Sequence, residues 1–256
     1  MYTLHINGWT PPAICVAIAL REKGLEFAVA EHDWTVTPDA LNEFAGTAEL
    51  LHTLEGEFPI LTADEVALSD SHFILEYLDD RHPKPPLKPA DAYGQWQVQA
   101  LDRFLGERAL PAISTLGVTQ FLSGREWSQE IIDRFAHATE MTPERRDAWR
   151  DALTAPATTE AVSESNRKLA LLYERLDKAL SSNARWLLGE LYSLADIAAF
   201  TLVHPFLSST LPAGGVDVPA RVRTWHERVR RRPAVALVLA EVQPSFLPGP
   251  EHARWG

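Results

Sequence analysis

The sequence holds a single cysteine, Cys15, among its 256 residues. One cysteine excludes an intramolecular disulfide framework and a multi-thiolate metal site, and it fits a reducing compartment. No stretch approaches the roughly 18 consecutive apolar residues that a membrane span needs. Met1-Tyr2-Thr3-Leu4-His5 has no basic region leading into an apolar one, so no secretory leader is expected. Basic side chains are few: 24 lysines and arginines against 35 aspartates and glutamates, a formal charge of −11. Such a surface repels polyanions, and nucleic-acid binding would need a local basic patch. The one basic cluster, Arg228, Arg230, Arg231 and Arg232, runs into Pro233 and reads as a helix end, where cations complement the macrodipole. What is there is ordinary globular composition, 46% apolar and 23% charged. The expectation is a soluble cytoplasmic protein with neither membrane nor nucleic acid as partner.

The chain changes grammar near residue 80. Thr3–Ile6 reads as a strand. Pro11–Lys23 places Ile14, Ala17, Ile18 and Leu20 on one helical face and stops at Gly24, a residue suited to a helix end. Leu25–Glu31 reads as a second strand, so strand–helix–strand with a parallel pair is the economical arrangement. After a less regular stretch, with Pro38–Phe44 as a candidate helix, Phe58–Thr62 and Val66–Leu68 form a hairpin. Ser69 onward is helical, with Phe73, Ile74, Tyr77 and Leu78 at one-turn spacing. This order of elements is that of a thioredoxin-like domain.

Arg81–Asp91 holds four prolines, which fix φ and remove backbone donors, so it reads as a semi-rigid linker. Beyond it strand signals fade. Tyr93–Leu110, Trp127–His137, Pro143–Leu153, Ser163–Leu180, Leu194–Leu207 and Pro219–Arg231 carry helical periodicity. The reading is therefore a thioredoxin-like domain over 1–80, a linker over 81–91 and an all-helical domain over 92–256.

Three segments could carry chemistry. The first is Asn7-Gly8-Trp9-Thr10-Pro11-Pro12-Ala13, where a strand runs into a helix N-terminus that favours an anion or a thiolate. Thr10 suits an N-cap, and its hydroxyl equally suits a ligand. Pro11 and Pro12 have no N–H, which leaves Ala13 and Ile14 as the first amides able to donate. The second is Gly56-Glu57-Phe58-Pro59-Ile60-Leu61, where a cis Phe58–Pro59 bond would turn the Phe58 backbone outward to pair with a peptide ligand. The third is Ser69-Asp70-Ser71, which can cap the next helix or hold a ligand bearing both ammonium and carboxylate.

Together and in this order, these segments resemble the glutathione transferase family, and the resemblance covers almost the whole chain. Gly56-Glu57-Phe58-Pro59-Ile60-Leu61 is similar to the family's Gly-x-Val-Pro-x-Leu, and Asp70-Ser71-His72-Phe73-Ile74-Leu75-Glu76-Tyr77-Leu78 to its (Glu/Asp)-Ser-x-x-Ile-x-x-Tyr-Leu. Ser193-Leu194-Ala195-Asp196-Ile197 resembles the family's capping box, in which Asp196 reaches back to the Ser193 N–H. Trp225 followed by Arg232-Pro233-Ala234-Val235 matches the last long helix and its stop. Within the family the chain looks most like bacterial β-etherase-type enzymes, which cleave β-aryl ethers of lignin fragments.

The resemblance implies glutathione as co-substrate, lying along Phe58 and Pro59. Asp70 and Ser71 would hold its γ-glutamyl end, and Thr10, with Asn7 as a second donor, would stand at its sulfur. Ala13 falls where many members carry a second polar side chain. No lysine or arginine lies between Lys23 and Arg81, which leaves His52 or a partner subunit for the glycyl carboxylate. Phe104, Arg108 and Phe121, with Leu116, would line a cleft for an aromatic electrophile. The tail residues Phe246, Leu247 and Trp255 would fold over it. Cys15 lies too deep in its helix to be the nucleophile and reads as a small buried hydrophobe. The histidines show no metal-ligand spacing and read as structural or solvated. A homodimer is expected, with a heterodimer as the variant. The alternative is a glutathione-binding or structural subunit with little catalysis. Glutathione-dependent isomerisation or dehalogenation would use the same cofactor site with a different cleft.

Overall fold

The computed structural model describes residues 1–32, 58–63, 66–122, 126–137, 143–155, 157–180, 184–208 and 215–246. Pro38–Phe44 lies outside the described residues.

Strand β1 (Tyr2–Ile6) sits inside a four-stranded sheet of order β2-β1-β3-β4, with β2 Phe27–Glu31, β3 Ile60–Ala63 and β4 Val66–Ser69. β1 pairs parallel with β2, Ile6 opposite Glu31, and antiparallel with β3, His5 opposite Ile60. β3 and β4 form the expected hairpin, Ile60 opposite Ser69. Alternation along β1 sends Leu4 and Ile6 into the core.

Helix α1 (Pro11–Glu22) crosses between β1 and β2. The sequence pattern suggested one buried face, but Pro11 and all of Ala13–Leu20 are buried. The reason is tertiary: α1 packs against α2 (Ser71–Arg81), α8 (Leu194–Leu207) and α10 (Pro233–Glu241). Its small residues Ala13, Cys15, Ala17 and Ala19 let those neighbours approach closely.

The helical half begins with α3 (Ala92–Phe104), capped by Asp91, whose carboxylate accepts from the Gly94 N–H at 2.9 Å. A π-helical turn over Leu105–Ala109 follows, and the rod continues as α4 (Leu110–Leu122). Sequence periodicity ended this helix at Leu110. Pro111 breaks an ordinary α-helix through the carbonyl four residues earlier, and the widened turn before it absorbs that conflict. After it come α5 (Gln129–Ala136), α6 (Pro143–Thr154), α7 (Thr159–Ala179), α8 and α9 (Ala220–Arg230). The second helix absent from the periodicity, α10, starts at Pro233, a residue tolerated in a first turn because its missing N–H has no partner there.

α8 is the axis of the helical half. Every residue from Leu194 to Phe206 is buried, and the helix touches α1, α3 and α9. Its start is fixed by Asp196. Oδ2 accepts from the Ser193 N–H at 3.0 Å, and Oδ1 accepts from the Leu187 N–H at 2.9 Å and the Trp225 indole at 2.8 Å. The basic cluster does close α9: Arg228 donates to the Arg185 carbonyl, Arg230 pairs with Glu227, and Arg232 makes a bidentate pair with Glu22 of α1.

The proline-rich segment is tied down from both sides. Lys23, buried at the end of α1, pairs with Asp79 of α2 and donates to the carbonyls of His82 and Pro85 at 2.7 and 2.6 Å. Asp79 also accepts from the Leu87 N–H, and the Leu87 carbonyl accepts from the Leu194 N–H at the head of α8.

Candidate active site at the mouth of the first helix

Strand register assembles the site. β1 ends at Ile6 and leads into Asn7–Thr10. β3 begins directly after Phe58–Pro59, and β4 ends at Ser69 before Asp70 and Ser71. Since β1, β3 and β4 are neighbours and Ile60 faces both His5 and Ser69, the three segments lie side by side on one sheet edge. Two strand spacings separate the first from the third, about 10 Å. An extended tripeptide spans about the same length.

At the first segment Asn7 is buried. Gly8 adopts a φ of 134°, open only to glycine, and its carbonyl accepts from the Thr10 N–H at 2.9 Å. Thr10 occupies the N-cap position but makes no side-chain capping bond. The prolines account for part of this: an N-cap side chain bonds to the second or third amide of the helix, the second is Pro12, and no bond is made to the third, Ala13. The Thr10 hydroxyl is therefore not spent on the helix it precedes, at the positive end of that helix dipole.

At the second segment the Phe58–Pro59 bond is cis, as expected, with Pro59 buried and Phe58 half-buried. The His32 ring packs on Phe58 with centroids 5.2 Å apart. His32 Nε2 lies 3.1 Å from His5 Nδ1, and His5 Nε2 lies 3.1 Å from the Thr62 hydroxyl. This contact was missed in the sequence, where His5 and His32 read as structural or solvated. Only the parallel pairing of β1 with β2, which seats His32 at the carbonyl of Ile6, brings it to Phe58.

At the third segment Asp70 caps α2, its carboxylate accepting from the His72 N–H at 2.9 Å. Asp70 also has a φ of 65° with ψ 113°, the one non-glycine residue of positive φ among those described. Such strain, of about 1–3 kcal/mol, concentrates where a ligand is held. Ser71 opens the helix beside it. His72 pairs with Asp102 of α3, and that hydrogen bond raises its pKa above the ordinary histidine value.

Of the remaining expected residues, His52 and the side chain of Phe121 lie outside the described residues. Phe104 has the Arg175 guanidinium of α7 over its ring at 4.0 Å, and Arg108 is exposed on the π-helical turn. Leu247 and Trp255 are also outside the described residues. Phe246 is buried in the helical half, 6.4 Å from the Phe206 ring, and its neighbour Ser245 meets the first segment: the Ser245 N–H donates to the Trp9 carbonyl at 2.9 Å. Cys15 is buried against Thr201 of α8, and burial pushes its thiol far above the range of a reactive thiolate. Among the described residues no three His, Cys, Asp or Glu side chains gather as metal ligands, and no helix is long and apolar enough to cross a membrane.

Comparison with known proteins bears on this edge. Residues 10–86 match the family model described as glutathione S-transferase, N-terminal domain, and residues 138–233 match that of the C-terminal domain. The chain belongs to the glutathione S-transferase family. Among similar relatives, protein LigF of Sphingobium sp. (strain NBRC 103272 / SYK-6) is 27% identical over 231 residues, covering 84% of each chain. The crystal structure of the β-etherase LigF from the same strain superimposes with a TM-score of 0.78 at 23% identity, over 94% of this chain and 99% of that one. A glutathione transferase homologue from Burkholderia with bound glutathione gives 0.58 at 19% identity, over 94% and 96%. The fold is thus that of the glutathione transferases, a thioredoxin-like mixed sheet with its helices followed by a helical domain, and the family's co-substrate is glutathione.

Proposed function

We propose that this glutathione S-transferase cleaves β-aryl ethers of lignin-derived aromatics, releasing a phenol. The observation that carries the reading is the sheet edge: a hydroxyl released from capping, a cis-proline segment and an acid–hydroxyl pair, spaced for a tripeptide. The likeness to LigF supports the ether as substrate.

Glutathione lies extended along Phe58 and Pro59. Asp70 takes its ammonium, while Ser71 and the first amides of α2 take the α-carboxylate. His52 or a partner subunit takes the glycyl carboxylate. A thiol with an unperturbed pKa of about 8.5 is mostly protonated at neutral pH. A hydrogen bond from Thr10, supported by Asn7 and the end of the α1 dipole, favours the thiolate. The thiolate attacks the ether-bearing carbon. A carbon–sulfur bond forms, the carbon–oxygen bond breaks, and its electron pair leaves on the aryl oxygen as phenoxide. Positioning supplies most of the acceleration. Phe104, Arg108 and Phe121 line the electrophile side, rings for burial and a guanidinium for the phenolate.

The working unit in this reading is a cytoplasmic homodimer, built from a glutathione-binding domain over 1–80, a linker over 81–91 and a substrate domain over 92–256. The decisive experiment incubates the protein with glutathione and a β-aryl-ether probe. The expected products are the glutathione thioether and free phenol in equal amounts; glutathione bound without either product would remove the proposed reaction. The two prolines and Ala13 favour a second reading, a binding or structural subunit. Retention on immobilised glutathione with no turnover of any electrophile, unchanged by Thr10→Ala, identifies it.

A further inference from the structure

On a chain of formal charge −11, one hollow has the opposite character. It opens between the Arg185–Trp186 loop and the junction of α9 with α10, and holds about 730 Å³. Five arginines line it, Arg185, Arg223, Arg228, Arg231 and Arg232, with Glu227 as the single carboxylate among the described residues. Closing α9 accounts for only part of this charge. Glu227 is engaged by Arg230, and Arg232 by Glu22. Arg185, Arg223, Arg228 and Arg231 have no carboxylate partner among the described residues. What holds two of them is neutral: Arg223 donates to the Val218 carbonyl and Arg228 to the Arg185 carbonyl. The guanidiniums of Arg185, Arg228 and Arg232 stand 5.7, 5.8 and 5.6 Å from one ring centre, that of Trp186. A ring face attracts cations, so it gathers like charges without neutralising them. Helix dipoles do not set the field here, because the negative end of α9 and the positive end of α10 meet and oppose each other.

We propose that this hollow binds a compact polyanion carrying two or more phosphoryl groups, at a site separate from the sheet edge and independent of the proposed function. Arg232 is anchored on Glu22, the last residue of α1, about 18 Å along that helix from Thr10. Planar guanidinium forks match oxyanions through paired parallel hydrogen bonds, and four unmatched positive charges suit a ligand of comparable negative charge in a small volume. A chain of two or three phosphoryl groups has both properties. Compactness follows from the rest of the surface. A long polyanion leaving the hollow would cross a protein of net negative charge and be repelled, whereas a ligand contained within it is not. Trp186, the one aromatic residue of the lining, is 5% exposed beneath the guanidiniums, so it offers no open face to a nucleobase. Recognition is therefore of the phosphates.

The test titrates the full-length protein at low salt with inorganic tripolyphosphate and follows binding by calorimetry. One equivalent is expected to bind, with an affinity that falls as added salt screens the site. Arg185→Gln with Arg231→Gln removes two of the unmatched guanidiniums and should weaken binding about 10–100-fold. Glu227→Gln removes the opposing carboxylate and should tighten it, a gain that damage to the fold cannot produce. Arg150→Gln with Arg167→Gln takes the same charge from exposed positions on α6 and α7 and should bind as the wild type does. ATP should bind no more tightly than tripolyphosphate; a preference for ATP that the Arg185→Gln/Arg231→Gln variant loses would keep the site and name a nucleotide as the source of the phosphates. A wild type that does not bind tripolyphosphate overturns the proposal, and so do two double variants weakened equally, which would mark a diffuse charge effect. A single-stranded oligonucleotide that displaces tripolyphosphate more strongly than ATP does overturns it as well, since the ligand would then extend beyond the hollow.

Discussion

Thr10 precedes two prolines, and that local chemistry decides what its hydroxyl can do. In an ordinary helix start a threonine in this place would be committed to a backbone amide, and its removal would destabilise the helix by about 1 kcal/mol. Here no capping bond exists to lose. Thr10→Ala should therefore leave the melting temperature nearly unchanged while lowering kcat/KM toward the ether probe about 10–100-fold, the worth of one hydrogen bond to a charged acceptor. Thr10→Ser should retain most of the activity. Steady-state kinetics beside a thermal melt separate the two effects. A melt that falls with activity intact would return Thr10 to the role of a cap. Asp70 is a mixed case, since its carboxylate caps α2 while its backbone is strained, so loss of its side chain should disturb helix and ligand together.

Among the elements, two buried polar contacts decide more than propensity does. Lys23 binds the end of α1 to Asp79 of α2 and to the proline-rich segment, with its ammonium out of contact with solvent. Lys23→Met keeps the length of the stem but leaves Asp79 buried without its cation, a loss of about 3–5 kcal/mol measurable by urea unfolding. Between α8 and α9 the rings of His204 and His226 stack, His204 Nδ1 lying 3.0 Å from His226 Nε2, with Phe200 against both. One ring must offer a lone pair, which a doubly protonated pair cannot do. Burial pushes both down to about 4, with Arg230 adding to the effect at His204 and His204 adding to it at His226. Unfolded histidines take up protons near pH 6.5, so between about 6.5 and 4 the unfolded chain binds more protons than the folded one. Stability should be level above that window and fall as pH drops through it, by on the order of a few kcal/mol. Urea midpoints at pH 7.5, 6 and 5 measure the fall, and His204→Phe/His226→Phe should flatten it. Neither contact was legible in the sequence. Fifty-six residues separate Lys23 from Asp79, and the histidines meet only because α8 and α9 pack. The same holds for α4 and α10: the periodicity ended at Leu110 and Pro233 read as a stop, although a π-helical turn and a first-turn position accommodate Pro111 and Pro233.

At the scale of the whole chain, the sheet, its order of elements and the capping box of α8 were legible because each is written in short-range pattern: alternation, glycine and proline punctuation, Ser193 with Asp196. The candidate edge was legible as three separate segments; their alignment is a consequence of register that no local pattern carries, and the Ser245–Trp9 bond joins positions from opposite ends of the chain. One further feature belongs to the surface as a whole. On a chain of formal charge −11, Phe73 of α2 and Tyr93 and Trp96 of α3 are 62%, 67% and 58% exposed, with the last two rings stacked 5.6 Å apart. The His72–Asp102 pair joins α2 to α3, so these rings stand on linked helices next to the segment that holds Asp70 and Ser71. Exposed aromatic surface of this extent is costly unless a partner covers it, and a homodimer contact there would also brace the start of α2. Phe73→Glu with Trp96→Glu adds two charges to that face on each protomer. Sedimentation velocity should then show a monomer where a dimer is expected of the wild type, with a higher KM for glutathione and an unaltered far-ultraviolet circular dichroism spectrum. A wild type that sediments as a monomer would remove the dimer, and a variant that still pairs would move the interface elsewhere.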